Sequence, residues 1–168
     1  MTRAVAVSLH STRLYLAGIA LPLAAVGTAL VTQHVFDMQP CPWCVLQRLI
    51  FVAISLAAGL GLAGHWLRLG AVRHLGAALM ALLALCGVAA ALWQHFVAAA
   101  SASCNLTLAD RIVSGVGVDA LWPQVFAAYA SCADAAAKLF GISYEFYSLT
   151  IFVAMAALAV VLLSRRRA

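Results

Sequence analysis

The cysteines are the residues of this chain best suited to chemistry, and four of the five fall outside its long apolar runs. Cys41 and Cys44 are separated by two residues, and Cys104 and Cys132 follow in a later, less apolar region. Thiolates can exchange disulfides or bind soft metal ions. Four cysteines allow three pairings, which the sequence by itself leaves open. Cys86 lies inside an apolar run, where a thiol packs as a small apolar side chain.

The motif Cys41-Pro42-Trp43-Cys44 predicts the beginning of a helix. Pro42 suits the first helical position because its missing N–H would have no partner there, so we expect Cys41 to cap the helix. Free N–H groups and the helix dipole at such an end favour thiolate over thiol. A C-x-x-C pair also occurs in zinc sites and thioredoxin-like folds, but no alternating strand and helix pattern surrounds this one. The motif therefore indicates a disulfide-exchanging pair at a helix end.

Arg48 lies four residues after Cys44, on the same face of the expected helix and just inside an apolar run. We expect it to be a donor and counter-charge for an oxidant that takes electrons from Cys44, such as a quinone. In the alternative interpretation its side chain extends to the lipid headgroups and has no chemical role. His95, at a similar expected depth, is a weaker candidate for a quinone neighbour. No set of metal ligands stands out in the sequence.

The composition indicates that membrane-spanning helices position these residues. Of 168 residues, 66% are hydrophobic and 9% are charged, and the mean hydropathy is +1.05. A water-soluble domain of this size could not bury so much apolar surface. The first apolar run exceeds the core of a signal peptide, so we expect it to be a retained helix. The sequence predicts an all-α bundle of four transmembrane helices in a single domain, 1–168, with helices at about 14–36, 45–62, 75–100 and 147–163.

The distribution of basic residues predicts the orientation of this bundle. The formal charge is +5, but the basic residues are spread along the chain and form no single patch of the kind that binds nucleic acid. By the positive-inside rule, both termini and the turn between helices 2 and 3 are cytoplasmic. The loops at 37–44 and 101–146 are then periplasmic, where disulfides persist. The basic residues that support this orientation are Arg3, Arg13, Arg68, Arg73, Arg165, Arg166 and Arg167.

The loop at 101–146 is long for a connection between two helices. Its segment 106–118 combines apolar residues with charged ones and predicts a short helix lying at the membrane interface. Trp122 and Tyr129 are residue types that favour the same zone. The loop is therefore expected to stay near the membrane surface while its cysteines reach a soluble partner.

Taken together, these features resemble those of a known family, the bacterial disulfide bond formation protein B (DsbB) family. The resemblance covers nearly the whole chain, and its motifs are far more specific together than singly. In chain order they are Gln33-His34, Pro40-Cys41-Pro42-Trp43-Cys44, Arg48, Cys104, Trp122-Pro123-Gln124-Val125-Phe126 and Cys132.

The resemblance implies an inner-membrane thiol:quinone oxidoreductase that supports disulfide bond formation. Its implied oxidant is ubiquinone or menaquinone, and its implied protein substrate is DsbA, a periplasmic dithiol oxidase with a thioredoxin fold. It also implies two redox-active disulfides, Cys41–Cys44 and Cys104–Cys132. In that scheme the partner attacks Cys104, Cys41 exchanges with the second pair, and Cys44 faces the quinone.

Other classes of protein also combine membrane helices with cysteine pairs. A family resembling vitamin K epoxide reductase carries its C-x-x-C on the last helix of the bundle, after its loop cysteines, whereas here the motif precedes them. A metal-binding or transport membrane protein would use the four outer thiolates as a zinc or copper site, although the cation of Arg48 disfavours metal binding there. A purely structural protein would use two disulfides to brace its loops.

Overall fold

The computed structural model describes residues 2–99, 107–133, 138–139 and 141–164. Cys104 and the basic residues at 165–167 lie outside these ranges, so the predictions made for them concern residues that the structure does not describe. The described part is almost wholly helical. Its α-helices are α1 (Thr2–Val35), α2 (Pro42–Trp66), α3 (Gly70–Trp93), α4 (Leu108–Val116), α5 (Val118–Leu121), α6 (Pro123–Phe126) and α7 (Tyr144–Ser164).

Four of these helices are long and apolar enough to cross a membrane: α1, α2, α7, and α3 together with the π-helical turn Gln94–Ala98 that continues it. This confirms the predicted all-α fold with four transmembrane helices. The C-terminal end of α2 and the N-terminal end of α3 extend beyond the predicted bounds, 45–62 and 75–100, towards the turn that connects the two helices. Arg73 consequently lies in the first turn of α3 and not in the connecting turn. Polar residues at the helix ends lower the local hydropathy without interrupting the backbone hydrogen bonds that a spanning helix requires.

The helix that carries the C-x-x-C motif, α2, is held on two sides. It packs between α1 and α3, and α3 packs in turn against α7. The rings of Phe51 in α2 and Phe152 in α7 stack with their centroids 4.1 Å apart. Gly76 of α3 approaches the backbone of Gly61 so closely that an added Cβ would overlap it. Small residues allow such close approach, on which helix association in lipid depends.

The two loops that carry the cysteines are joined through their backbones. The carbonyl oxygen of Pro40 accepts hydrogen bonds from the N–H groups of Tyr129, at 3.0 Å, and Ala130, at 3.3 Å. Pro40 directly precedes the C-x-x-C motif, and Ala130 lies two residues before Cys132. This contact therefore brings the later cysteine to the beginning of α2.

The helix α4 lies within the segment 106–118 in which the sequence predicts a short interfacial helix. It begins with a capping box, in which the side chains of Thr107 and Asp110 satisfy each other's backbone N–H groups. Ala109 and Val113 are buried, and the helix packs against α2. Contact of α4 with a membrane interface stays a prediction.

A short antiparallel ladder precedes α7. Its strands are β1 (Lys138–Leu139) and β2 (Ile142–Ser143), and Gly141 between them has a φ of 81°. A positive φ costs glycine little because glycine lacks a Cβ. The ladder leads directly into Tyr144, so α7 begins three residues before the predicted boundary at 147.

Candidate redox site

The C-x-x-C motif forms the first turn of α2, as the sequence predicts. Cys41 is the N-cap residue, with φ −86° and ψ 166°, and Pro42 is the first helical residue. The sulfur of Cys41 accepts a hydrogen bond of 3.3 Å from the backbone N–H of Cys44. The two sulfurs lie 2.7 Å apart. Only a small movement of the two free thiols would therefore be needed to form a disulfide between them.

Cys132 joins this pair from the second loop. Its thiol is hydrogen-bonded to that of Cys41, and the backbone of Trp43 also contacts its sulfur. Cys41 is fully buried and Cys132 is 9% exposed. The structure thus places Cys41 between two sulfurs, one from its own motif and one from the other loop.

The three sulfurs do not share their protons equally. The pKa of Cys41 is raised, chiefly because Cys132 and then Cys44 accept its hydrogen bonds, and also because it is buried. The pKa of Cys132 is lowered, chiefly by the hydrogen bond that it receives from Cys41. Of the two, Cys132 is therefore the sulfur that more readily carries the thiolate. The expectation that the helix end favours a thiolate stays a prediction for the C-x-x-C pair.

Arg48 is held inside the protein by three oxygen acceptors. One guanidinium nitrogen, Nη1, donates to Gln33 Oε1 at 2.6 Å and to the carbonyl of Val125 at 3.0 Å. The other, Nη2, donates to the carbonyl of Ala29 at 3.3 Å. Arg48 is 6% exposed, so its side chain does not extend to lipid headgroups and that alternative is wrong. Gln33 donates in turn to the carbonyl of Gln124 at 3.4 Å. This hydrogen bond joins the Gln33-His34 motif to the motif at Trp122–Phe126.

A cavity of about 690 Å³ opens beside this arginine. Residues of α1, α2, α7, the π-helical turn and the first loop line it, and Cys44 and Arg48 are both in its wall. Much of the remaining wall is apolar and comes from α1 and α7, for example Leu21 and Ile151. The cavity wall therefore combines the cation of Arg48 and the thiol of Cys44 with surfaces that suit an apolar ligand.

His95, the weaker candidate from the sequence, does not line this cavity. Its Nδ1 lies 2.6 Å from Glu145 Oε1, and its side chain is 32% exposed. Glu145 is buried and does line the cavity. His95 therefore reaches the cavity only through its hydrogen bond to this carboxylate.

Several polar residues of the cavity wall do not figure among the sequence candidates, among them Gln47, Gln94 and Glu145. The side chain of Gln47 donates to that of Gln94 at 2.6 Å, and Gln94 donates to the sulfur of Cys44 at 3.3 Å. A usable signal was present, because each is a polar residue in or at the edge of an apolar run. Among the residues that the structure describes, no group of three or more potential ligands is arranged to hold a metal ion.

Comparison with known proteins gives one consistent result. The family model "Disulfide bond formation protein DsbB" matches residues 11–162. A disulfide bond formation protein B from Pseudomonas syringae pv. tomato is 35% identical over 146 residues, which cover 86% of this chain and 85% of that protein. The protein of the same name from Dechloromonas aromatica is 34% identical over 152 residues, covering 87% of each chain. The one from Aromatoleum aromaticum is 34% identical over 162 residues, covering 94% of this chain and 95% of that protein. This chain, a multi-pass membrane protein with the fold described above, belongs to the disulfide bond formation protein B family.

Proposed function

We propose that this protein is a thiol:quinone oxidoreductase of the bacterial inner membrane. It reoxidises a periplasmic DsbA-like dithiol oxidase and passes the electrons to ubiquinone or menaquinone. One observation carries this proposal: Cys41 contacts both Cys132 and Cys44, and Cys44 lines a cavity together with Arg48. A continuous series of sulfurs thus leads from the second loop to that cavity.

The residues of the cavity fit a quinone. A quinone has an apolar ring and oxygen atoms that gain negative charge on reduction, and it takes up two electrons and two protons when it oxidises a dithiol. Its bound oxygen requires a donor. The described residues accept from three N–H positions of Arg48, and a guanidinium has five. Because Arg48 also lines the cavity, its guanidinium is a donor for a ligand oxygen there.

The proposed route begins at Cys104 and Cys132. A thiolate of the reduced partner attacks Cys104 in a Cys104–Cys132 disulfide, and the partner's second thiol then displaces Cys104, which leaves the partner oxidised and this pair reduced. The Cys132 thiolate attacks Cys41, which forms a Cys41–Cys132 disulfide and releases Cys44 as a thiolate. Cys104 then attacks Cys132, so the loop disulfide forms again and Cys41 is freed. Each exchange breaks one S–S bond and forms one.

The last step reforms the Cys41–Cys44 disulfide. The two thiols lose two electrons and two protons, which the quinone takes up. Cys44 supplies the sulfur in the cavity wall, and Cys41 lies 2.7 Å from it, close enough to close the disulfide. Arg48 contributes a fixed positive charge where negative charge develops.

The test uses purified protein, a short-chain quinone and a reduced thioredoxin-fold oxidase. We expect reoxidation of the partner, and we expect Cys41→Ser or Cys44→Ser to abolish it. Cys86→Ser is the matched control, because Cys86 lies on the exposed side of α3, away from the described sulfurs, and should leave turnover unchanged. Normal turnover in either motif variant would exclude the proposal, and bound zinc with no quinone reduction would favour a metal-binding protein.

The partner is identified by trapping. In a Cys132→Ser variant, Cys104 is a free thiol whose thiolate can attack the disulfide of an oxidised partner. This breaks the partner's S–S bond and forms a mixed disulfide through Cys104, which acid quenching and alkylation of the released partner thiol preserve. Mass spectrometry of the complex should then give a thioredoxin-fold protein linked through Cys104. If the variant is merely less stable and captures no protein, the cysteines of the second loop are structural.

The proposed orientation places both termini in the cytoplasm and both cysteine loops in the periplasm. It is tested with two single-cysteine proteins that lack the five native cysteines, Ala120→Cys in the second loop and Leu69→Cys in the turn between α2 and α3. Both positions are exposed. A membrane-impermeant maleimide should label the first in intact spheroplasts and the second only after lysis. The reverse pattern would invert the orientation.

A further inference from the structure

The sulfur that faces the cavity has a polar neighbour on another helix. Gln94 Nε2 donates a hydrogen bond of 3.3 Å to the sulfur of Cys44. Gln94 is the first residue of the π-helical turn that follows α3, in which the N–H of Ala99 bonds to the carbonyl of Gln94 at 2.9 Å. Such turns insert an extra residue into a helix, redirect side chains and are frequent at functional sites. The irregular turn thus begins at the residue that contacts the thiol.

A second glutamine fixes the orientation of this amide. Gln47 donates to Gln94 Oε1 at 2.6 Å, and the two side chains are 2% and 6% exposed. Because the oxygen of Gln94 is occupied by Gln47, its NH₂ group is the end that faces Cys44. Gln47 and Gln94 thus form a hydrogen bond with each other inside the bundle of membrane helices. The NH₂ group of Gln94 donates to the sulfur of Cys44.

We propose that Gln94 is a functional hydrogen-bond donor to Cys44, and that Gln47 is the positioning residue that orients it. The inference rests on the proposed function, in which Cys44 is the sulfur that reacts with the quinone. A hydrogen-bond donor at the thiolate stabilises the charged form of Cys44. Arg48 supplies long-range charge from within its own set of hydrogen bonds, whereas Gln94 supplies direct contact. In the proposed route, the exchange at Cys41 releases the Cys44 thiolate, and the same thiolate then reacts in the cavity.

A purely structural role for Gln47 and Gln94 would require fewer contacts. If the glutamines only joined α2 to α3, the contact between Gln47 and Gln94 would suffice, and Cys44 would be a bystander. The rings of Trp43 and Trp93, with centroids 6.3 Å apart, already link the same two helices at this level. The two roles differ in what they do to the thiolate, which gives a readout independent of stability.

The experiment measures Cys44 alone, in protein carrying Cys41→Ser, Cys86→Ala, Cys104→Ser and Cys132→Ser. The rate of alkylation by iodoacetamide is followed across pH and reports the thiolate without any quinone or partner. We expect Gln94→Met, which has similar length but no donor, to lower the rate at neutral pH about tenfold, a change that corresponds to about 1.4 kcal/mol. Gln47→Met should lower it less, because Gln94 keeps its donor but loses its orientation. Ser55→Ala, in α2 but outside the cavity, is the control and should have no effect.

Each further outcome has one meaning. If Gln94→Met lowers the unfolding temperature but leaves the alkylation profile unchanged, the glutamines only join the helices and the proposal is wrong. If it raises the rate, Cys44 donates to Gln94 and the assigned direction of the hydrogen bond is wrong. With the native cysteines restored, Gln94→Met should also slow oxidation of the dithiol by a short-chain quinone. A wild-type protein that fails to react with quinone would contradict the proposed function while leaving the alkylation result intact.

Discussion

The guanidinium of Arg48 donates a hydrogen bond of 2.6 Å to the side-chain oxygen of Gln33, across the contact between α2 and α1. The same guanidinium nitrogen donates to the carbonyl of Val125 in the second loop. One buried cation therefore joins two membrane helices and a loop at the wall of the cavity. A cation held by such hydrogen bonds is preorganised, and preorganised charge is what the proposed role of Arg48 requires.

Replacement of Gln33 by Leu should destabilise the protein. The substitution removes the only side-chain acceptor of Arg48 among the described residues and leaves part of a buried cation unsatisfied. Hydrogen bonds to charged groups contribute about 1.5–3 kcal/mol, so we expect a loss of about 2 kcal/mol in the free energy of unfolding. Denaturant titration in detergent measures it. His34→Ala, at the exposed neighbouring position, should change stability by less than about 0.5 kcal/mol. Equal effects of the two substitutions would show that the contact is unimportant.

Replacement of Arg48 by Ala should affect the quinone more than the partner. Arg48 lines the cavity but does not contact the sulfurs of Cys41 or Cys132. We expect the apparent KM for a short-chain quinone to rise about tenfold or more, as for the loss of a charged donor, with little change in thiol exchange with the partner. Arg48→Lys should restore only part of the affinity because an ammonium cannot reproduce the planar set of donors. An unchanged dependence on quinone concentration would remove Arg48 from the quinone site. Arg68→Ala, in the exposed turn, is the control.

Cys132 should stay reactive at lower pH than an ordinary cysteine. The thiolate is the reactive form, and the pKa of Cys132 is lowered chiefly by the hydrogen bond from Cys41. Its reactivity should therefore persist below the usual cysteine range of about 8.5 and disappear only as the pH falls through the lowered pKa. Peptide mapping after brief alkylation, in reduced protein with Cys44, Cys86 and Cys104 replaced by Ala, measures this profile.

The matched experiment adds Cys41→Ala to that protein. The substitution removes the thiol that donates to Cys132, so the alkylation profile should move towards higher pH. A profile that stays in place would mean that Cys41 does not determine the charge of Cys132. A shift towards lower pH would reverse the assigned direction of the hydrogen bond.

How far the sequence predicts this molecule depends on the kind of interaction. Hydropathy predicts the four spanning helices, and proline chemistry predicts Cys41 as the cap of α2, because both follow from local sequence. The acceptors of Arg48 could not be predicted, because the Val125 carbonyl is a backbone group that any residue supplies. The contact of Gln94 with Cys44 depends on a π-helical turn set by tertiary packing. The hydrogen bond from Cys41 to Cys132 could not be predicted, because it joins two sulfurs that lie 91 residues apart in the chain.

The contact between α2 and α3 supplies the last prediction, which concerns the scaffold that carries Cys44 and Gln94 on adjacent helices. A Cβ at Gly76 would overlap the backbone of Gly61, and backbone cannot move aside as a flexible side chain can. We expect Gly76→Ala to cost about 1–3 kcal/mol, as overpacking does. Gly59→Ala is the matched control, because an added Cβ there meets nothing within 4 Å and alanine is the better helix former. Thermal unfolding in detergent compares the two. If the two variants are equally stable, α2 and α3 can move apart at Gly76 without cost. The distance from Gln94 to Cys44 would then not depend on the contact between Gly76 and Gly61.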